Sequence, residues 1–395
     1  MKPRLLVVAS HPIQYFVPIY SELTRSGRLE THVAYCRQFG IEPTYDRQFG
    51  EHIEWGPNLL KGYEYTFLRN VSPITNTFNP LHAINPGVIG NVLRWADVIW
   101  IDGVVYPSNW LAIAAAKAKR IPILMRSEMH PNSIDRKGLK SWLKRSFYRN
   151  AFKFIDRAMT IGTQNSQAYL TLGIDKTQLT VTPYAVDMSR FQVAEAERLT
   201  RRMQQRAAWG LNAEDVAVLF LGKLTQRKHP EALLGLDSSQ TASTLALVWV
   251  GAGEREGTLR KGAMGLRSAR AIFGGLVNQS RIADVLWASD IFVMPSEREP
   301  WGLVLNEAMA AGLPAVVSDQ VGAGPDLCLE GQTGYIVPAG DNEAFIDAVD
   351  KLARDRTLRE HMGHAARRHI AGWTPQMAAR GIEEAAFAEL AQCNR

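Results

Sequence analysis

The sequence predicts an α/β protein made of two doubly wound, Rossmann-like domains. Its 395 residues correspond to two or three domains at ~150 residues each. Several short runs are apolar throughout, which is typical of parallel strands covered by helices on both faces. Such runs alternate with helical segments, and the alternation occurs once in each half of the chain. A strand–helix rhythm that runs twice predicts two parallel sheets, each with its own helices.

Each element is predicted from its own apolar run or helical periodicity. In the first half, strands are predicted at 5–9, 98–101, 121–125 and 159–161, and helices at 107–119, 140–157 and 165–172. In the second half, strands are predicted at 216–221, 245–250, 271–273, 291–294 and 315–317, and helices at 281–288, 302–311 and 342–355. A charged helix at 194–209 connects the two sets. The predicted domains are therefore 1–190 and 191–374, and the closing helix 375–395 is expected to pack back on the first.

The composition excludes several classes of protein. Hydrophobic residues make up 46% and charged residues 21% of the chain, so long disorder is not expected. Lys and Arg total 45 against 39 Asp and Glu, a mild excess that suits phosphates or an anionic surface, and no nucleic-acid-binding motif accompanies it. No apolar run approaches the ~18 residues of a membrane span, and the run 5–9 is shorter than the ~7–15 residues of a secretory core. The three cysteines have neither CxxC nor zinc spacing, so a cytoplasmic protein is predicted.

The segment from Ser296 to Glu307 carries the clearest chemistry. A buried strand is followed by a short polar loop and by a helix that opens near Gly302. The first N–H groups of such a helix have no partner inside it and face the loop, with the positive end of the helix dipole. A helix N-terminus at the carboxyl end of a strand is suited to phosphate, and Gly302 is expected to leave room for it. Glu299 before the helix, and Glu307 about two turns along it, are placed to reach opposite ends of a long polyhydroxylated ligand.

This segment reads PSxxEPxGLxxxEAMAxGLP, and it resembles the donor-site motif of family 4-type retaining glycosyltransferases (glycosyl transferases group 1) with the GT-B fold. The resemblance implies two Rossmann-like domains facing a central cleft. It also implies that Glu299 contacts the transferred sugar and that Glu307 binds the nucleotide ribose. The residues between them that are implied to bind the donor are Pro300, Trp301, Gly302, Leu303 and Val304.

A second segment, 218–230, is similar to the basic turn of the same family. There the pattern G-R-L followed by K-G clamps the donor diphosphate, and this chain has Lys223 for the Arg, Lys228 for the Lys and His229 for the Gly. Lys for Arg keeps the charge but loses the bidentate fork. Gly274 lies in a segment that resembles the family's nucleobase contact. The resemblance extends from about residue 216 to about residue 373.

The first half is less typical of the family. It begins with the HPIQY segment of a bacterial subgroup, followed by D-x-x-F-G at 46–50 and LLxGYEY at 59–65. His11 and Gln14 are candidate acceptor-side residues, although His11 also fits a loop-capping role. Arg126 belongs to the same candidate set. By position, Glu128 stands where relatives have an active-site His, and His130 is its rival; the choice between them stays open.

The predicted reaction transfers a hexose-type sugar from a nucleotide-diphosphate sugar, with UDP favoured, to a glycan, lipid-linked or small-molecule acceptor. No bound cofactor is expected. The developing diphosphate charge requires fixed cations, and the absence of an Asp-x-Asp pair predicts that they are side chains rather than a metal. Retention of configuration is implied by the resemblance alone. Two alternatives stay open: a sugar-nucleotide epimerase of the same fold, and a non-catalytic sugar-nucleotide-binding subunit.

A basic helix with an apolar stripe is predicted at 136–149. Such a helix fits the surface of an anionic membrane. It also fits a domain-packing helix whose basic face is solvated, and the sequence leaves both interpretations open.

Overall fold

The computed structural model describes residues 1–41, 44–46, 51–53, 59–74, 79–134, 138–241 and 244–393. The chain divides into two compact units. The first contains Met1–Thr44, Glu54–Ala185 and Thr374–Arg395, and the second contains Tyr45–Ile53 and Val186–Trp373. None of the described helices combines the length and apolar composition that crossing a bilayer requires.

Within the described residues, the first unit is built on a seven-stranded parallel sheet in the order β5-β2-β1-β6-β7-β8-β9. Its strands are β1 (Arg4–Ala9), β2 (Glu30–Tyr35), β5 (Glu64–Phe67), β6 (Val98–Asp102), β7 (Ile123–Arg126), β8 (Arg157–Thr160) and β9 (Leu179–Val181). The strands β3 (Thr44–Asp46) and β4 (Glu51–Ile53) form a separate pair, which from residue 45 on is assigned to the second unit. The helices of the first unit up to this point are α1 (Val17–Ser26), α2 (Gly87–Arg94), α3 (Pro107–Lys119), α4 (Leu139–Phe152) and α5 (Thr163–Thr171).

The second unit is built, within the described residues, on a six-stranded parallel sheet in the order β12-β11-β10-β13-β14-β15. Its strands are β10 (Val216–Leu221), β11 (Leu245–Val250), β12 (Arg270–Gly275), β13 (Ile291–Met294), β14 (Ala315–Ser318) and β15 (Gly334–Val337). Its helices are α6 (Glu195–Ala208), α7 (Glu256–Ala263), α8 (Ile282–Ala288), α9 (Leu303–Ala311), α10 (Gly324–Leu327), α11 (Asn342–Arg354) and α12 (Arg356–Ile370). Two doubly wound α/β units confirm the predicted fold class.

The central strands are apolar because helices cover both faces of each sheet. Every residue of β10 and of β11 is buried, so side chains that alternate between the two faces all lie in a core. The same holds for β1 after its first residue. This is why a run without polar alternation predicted these strands correctly.

The last helix, α13 (Pro375–Cys393), belongs to the first unit. It packs on α1 and against β8 and β9. Gly381 lets the helix approach closely, since a Cβ there would lie 2.4 Å from the carbonyl oxygen of Val181. The buried Glu383 is paired with Arg28 at 2.8 Å.

The prediction failed where strands are short or partly polar. It missed the strands β2, β3, β4, β5, β9 and β15, and its helix at 140–157 runs too far. The helix ends at Phe152 and β8 begins at Arg157. Asp156 accounts for the break, because its carboxylate accepts the backbone N–H of Ile123 at 2.8 Å and binds Lys117 at 2.8 Å, which returns the chain to the sheet.

Parts of two predicted segments lie outside the described residues. These are residues 47–50 of the D-x-x-F-G segment and residues 136–137 of the basic helix.

Candidate donor and acceptor sites

The strand order of the second unit places its candidate site at a switch point. From β10 the chain proceeds to β11 and β12 on one side, and then returns to place β13 on the other side of β10. Ligands of doubly wound sheets bind beyond the carboxyl ends of the strands at such a point. The loops that follow β10 and β13 carry Lys228 and Glu299, respectively.

The structure brings Glu299 and Lys228 together. The Nζ of Lys228 lies 2.9 Å from Oε2 of Glu299, and both side chains are largely buried. Arg227 lies 3.5 Å from the same oxygen and donates to the carbonyl oxygen of Arg298 at 2.7 Å. The backbone N–H of Glu297 in turn donates to the carbonyl oxygen of Arg227 at 2.9 Å. The two loops therefore hold one another through both charge and backbone.

A third loop, after β14, anchors Glu299 from the other side. The N–H of Glu299 donates to the carbonyl oxygen of Gln320 at 3.0 Å, and the N–H of Gly322 donates to that of Glu299 at 2.9 Å. Gly322 is required by contact, because a Cβ there would lie 1.9 Å from the carbonyl oxygen of Pro300. The position of Glu299 is thus determined by its backbone as well as by its cationic neighbours.

Gly302 is favoured by the backbone and by its neighbours. It precedes α9 with a φ of 97°, in the left-handed region that favours glycine. A Cβ at this position would lie 2.8 Å from Sδ of Met294 and 3.3 Å from Cγ of Glu299. The left-handed backbone and these neighbouring side chains both favour glycine here, and the room for a phosphate beside it stays a prediction.

Of the two residues at which the basic turn departs from the family pattern, His229 has a clear effect on the backbone. His229 has a φ of 49° and a ψ of 51°, and it follows the 3-10 turn Gln226–Lys228. This left-handed conformation explains why glycine suits the position. Lys228 folds back over the end of β10, since a Cβ on Gly222 would lie 3.5 Å from its Nζ. Lys223 lies in the same turn, directly after Gly222, and is half-buried.

Close backbone packing supports this turn from β11. A Cβ on Gly251 would lie 1.9 Å from the carbonyl oxygen of Gly222. The N–H of Leu224 donates to the carbonyl oxygen of Ala252 at 2.9 Å. Gly274 lies near the end of β12 and is half-buried, with Val250 tight against it. These glycines allow three strand ends to approach one another.

Glu307 lies inside the second unit with partners of its own. It is the fifth residue of α9, little more than one turn from the helix start rather than about two. Its side chain is 2% exposed and lies 3.3 Å from Arg190, and Gln279 donates to it at 3.1 Å. Burial raises the pKa of Glu307, against the lowering influence of Arg190 and Gln279. Neither partner belongs to a motif, so sequence reasoning missed both.

The other predicted donor-binding residues differ in how deeply their side chains are buried. The indole of Trp301 is buried and donates to Asn306 at 3.0 Å, with Trp373 beside it at 5.6 Å between ring centroids. Its side chain is therefore part of the core. By contrast, the side chains of Pro300, Leu303 and Val304 are half-buried.

In the first unit, His11 follows β1 and is held by its neighbours. Its Nδ1 lies 2.9 Å from Oγ of Ser10, and its ring meets Phe39 edge-on. Burial, aided by Arg37 and His82, lowers the pKa of His11 to about 4. The imidazole is therefore neutral at pH 7. Gln14 lies in the turn before α1 and is half-buried.

Arg126, Glu128 and His130 follow one another along the end of β7 and differ in exposure. Arg126 is buried and its guanidinium lies over the rings of Phe16 and Tyr184. Glu128 is exposed, and its carboxylate accepts the hydroxyl of Tyr184. His130 is buried, and its Nδ1 accepts the N–H of Asn132 at 3.2 Å. Of the two rivals, Glu128 is the one that reaches the surface.

Two Rossmann-like units in this arrangement of strands and helices define the GT-B fold, and solved structures agree. Anabaena HepE, solved with UDP and glucose, is similar over 98% of this chain and 100% of its own, with a TM-score of 0.72 and 14% identity. At that identity the likeness concerns the fold.

Residues 201–369 match the family model described as Glycosyl transferases group 1. The chain is 29% identical to sulfoquinovosyl transferase SQD2 of Arabidopsis thaliana over 72% of this chain and 55% of that one. It is 33% identical to the D-inositol 3-phosphate glycosyltransferase of Streptomyces avermitilis over 48% of this chain and 42% of that one. The chain thus spans about half the length of these curated relatives.

Proposed function

We propose that this chain is a glycosyltransferase that moves a hexose-type sugar from a nucleotide-diphosphate sugar to a glycan, lipid-linked or small-molecule acceptor. Among the possible donors, a UDP-sugar is favoured. The observation that carries the proposal is the Lys228–Glu299 pair at the switch point of the second unit. It lies within the segment that matches the glycosyl transferases group 1 model. HepE, with the same fold, was solved with UDP.

Lys223 and Lys228 are assigned to the donor diphosphate, together with Arg227, which lies in the same turn, beside Glu299. As the bond between sugar and diphosphate breaks, negative charge grows on the leaving oxygen, and cations already in place lower the free energy of the transition state. The backbone bonds between the loops hold these cations in position. Because side chains supply the charge, transfer is proposed to need no metal.

Glu299 is assigned to the transferred sugar and Glu307 to the ribose. A carboxylate accepts hydrogen bonds from sugar hydroxyls. Arg190 and Gln279 hold the carboxylate of Glu307 in one orientation. Retention of configuration is proposed from the resemblance of the motif that contains both glutamates. On the acceptor side, the proposed residues remain Glu128, His130, His11, Gln14 and Arg126.

The test is turnover with a panel of UDP-, GDP- and ADP-sugars, measured as release of the nucleotide diphosphate. Release that depends on an added acceptor supports a transferase. Thermal protection by a nucleotide without release would favour a non-catalytic binding protein, and release of an epimerised sugar nucleotide would favour an epimerase. Transfer should persist after exhaustive chelation, and a loss that Mg²⁺ or Mn²⁺ restores would contradict the metal-free assignment.

Contact with an anionic membrane surface is also proposed, through α4. The helix presents Leu139, Trp142, Leu143 and Phe147 to solvent, and Trp142 is 58% exposed. These positions recur at helical spacing and form one stripe. Five cationic side chains lie at Lys140, Lys144, Arg145, Arg149 and Lys153, with no acidic residue between Leu139 and Lys153. An exposed apolar stripe beside cations fits a surface of anionic lipid.

Sedimentation with vesicles of 30% phosphatidylglycerol in phosphatidylcholine tests this surface. Trp142→Ser and Lys144→Glu should each weaken binding, the second by roughly 10-fold or more at low salt because each charge contributes about 1 kcal/mol near the surface. Arg368→Glu is the matched control, since Arg368 is an exposed cation on α12. Equal pelleting of the two charge variants, or none of the wild type, would leave α4 as a packing helix with a solvated face.

A further inference from the structure

The first unit has a switch point of its own, and charged side chains end the strands beside it. Its chain proceeds from β1 to β2 on one side and later places β6 and β7 on the other side of β1. Asp102 ends β6 and Arg126 ends β7, and the two residues are partners in the register of these strands. An acid and a base therefore lie side by side at the edge of the sheet where such folds bind ligands.

The guanidinium of Arg126 lacks the partners that a buried charge requires. The residue is 2% exposed. Within the part of the chain that the structure describes, Nε, Nη1 and Nη2 are all buried without a hydrogen-bond partner. The nearest aromatic faces are those of Tyr184 and Phe16, at 4.6 and 5.0 Å. Aromatic faces attract the cation but accept none of its five N–H groups as a carboxylate or phosphate would.

The neighbouring acid does not satisfy this cation. Oδ2 of Asp102 is itself buried without a hydrogen-bond partner among the described residues, as is the hydroxyl of Tyr20. Burial raises the pKa of Asp102 to about 7, although Arg126 lowers it. The carboxylate of Glu128, an exposed residue, accepts the hydroxyl of Tyr184. The three nitrogens of this strand-end cation thus have no hydrogen-bond acceptor within the described residues, and polar groups buried in this way require a ligand to satisfy them.

We propose that Arg126 binds an anionic group, phosphate or carboxylate, carried by the acceptor. The inference rests on the proposed function in taking the first unit as the acceptor side. The planar fork of arginine matches both groups with two parallel hydrogen bonds. Entry to the guanidinium requires movement of a side chain that lies over it, and Tyr184 is held there by the exposed Glu128. Acceptors without an anionic group are then expected to be poor substrates.

Binding of small anions to the full chain tests the site separately from turnover. Inorganic phosphate and glucuronate are titrated by calorimetry at constant chloride, each with and without saturating UDP to fill the diphosphate site proposed for the second unit. Arg126→Met should weaken the binding of the preferred anion by about 30-fold or more, the effect typical of removing one member of a buried charge pair. Arg126→Lys should lose less, because it keeps the charge without the fork. Arg94→Met is the matched control on the same unit, since Arg94 is exposed on α2.

Asp102→Asn gives a test of opposite sign. At pH 8 the carboxylate of Asp102 is ionised and opposes an incoming anion, so its removal should tighten binding several-fold. If Arg126→Met does not fold, this variant and Arg126→Lys decide whether Arg126 binds the anion. Preference for phosphate assigns a phosphorylated acceptor, and preference for glucuronate assigns an acidic sugar.

The proposal is overturned if the anion affinity of Arg126→Lys and Arg126→Met equals that of the wild type, or if the wild type binds neither anion at ~10 mM. Failure of the proposed function looks different, because then UDP gives no protection and no sugar nucleotide is turned over, whatever the response of Arg126.

Discussion

At the carboxyl edges of their sheets, the two units treat buried charge in opposite ways. In the second unit, Lys228 pairs with Glu299 and Arg190 pairs with Glu307, each acid and base coming from different loops or elements. In the first unit, the guanidinium of Arg126 lies against two rings without a hydrogen-bond partner among the described residues. The same kind of sheet edge therefore carries a cross-linked charge set in one unit and an unsatisfied cation in the other.

We relate this difference to what each unit is proposed to bind. A diphosphate and a ribose are common to all donors of one nucleotide class, so the groups that bind them can be held in advance by the protein. Preorganised charges need little rearrangement when the transition state forms. Acceptors vary in chemistry, and a cation that lacks an internal partner gains most from a ligand that supplies one. The match to the glycosyl transferases group 1 model falls within the second unit, which agrees with this division.

Replacing Lys228 should have the largest effect. Lys228→Met removes a cation assigned to the leaving diphosphate, so kcat should fall by ~10²–10³ while affinity for the donor falls less. Steady-state titration of the donor at saturating acceptor measures both. Lys261→Met on the exposed face of α7 is the control. A fully active Lys228→Met protein would mean that the ion pair with Glu299 is structural.

Loss of Glu307 should act on binding instead. The ribose carries no charge that changes during transfer, so Glu307→Ala should raise the donor KM and weaken free nucleotide binding by about 10- to 100-fold, the range for hydrogen bonds to a charged group. The loss in kcat should be smaller than for Lys228→Met. Calorimetry with the nucleotide diphosphate checks this, and wild-type affinity would contradict the ribose assignment.

Lowering the pH should reduce nucleotide affinity through Glu307, by less than the substitution Glu307→Ala does. Its pKa is raised by burial, so as the pH falls Glu307 takes up its proton before an exposed glutamate does. Protonation removes the carboxylate that accepts the ribose hydroxyls, and nucleotide affinity should fall on acidification from pH 7. Glu307→Gln should lack this part of the pH dependence. The nucleotide's own titration affects both proteins equally, so the difference between the two slopes is the readout, and equal slopes would exclude Glu307 as the titrating group.

The smallest effect is expected at His229. Its left-handed backbone costs about 1–2 kcal/mol for a residue with a Cβ, and substitution by glycine removes this strain. Glycine also has more freedom in the unfolded chain, which cancels about 0.5–1 kcal/mol of that gain in stability. His229→Gly should therefore raise the free energy of unfolding by roughly 1 kcal/mol or less. Urea denaturation measures the change. A clear loss of stability would show that the imidazole makes contacts that outweigh the backbone strain.

The bounds of some strands could be predicted from the sequence, whereas other strands and one helix end could not. The strands at 216–221, 245–250 and 291–294 have the bounds that their apolar runs predicted. By contrast, β9 has only three residues, and none of them is fully buried. Its place in the sheet depends on pairing with β8, which no local pattern records. The helix predicted through residue 157 failed for a similar reason, because the bond from Ile123 to Asp156 is a tertiary contact.

The sequence by itself determined the two parallel sheets, the helix that opens after Gly302 and the polar residues that follow β10 and β13. Each depends on hydrophobic period, chain direction or backbone conformation, and these are properties of neighbouring residues. Only the tertiary structure decided which charges meet. Arg190 and Gln279 reach Glu307 from distant points of the chain, and Asp102 lies beside Arg126 because β6 pairs with β7. Side-chain contact depends on how strands are ordered and on how loops pack, and no local spacing in the chain specifies either.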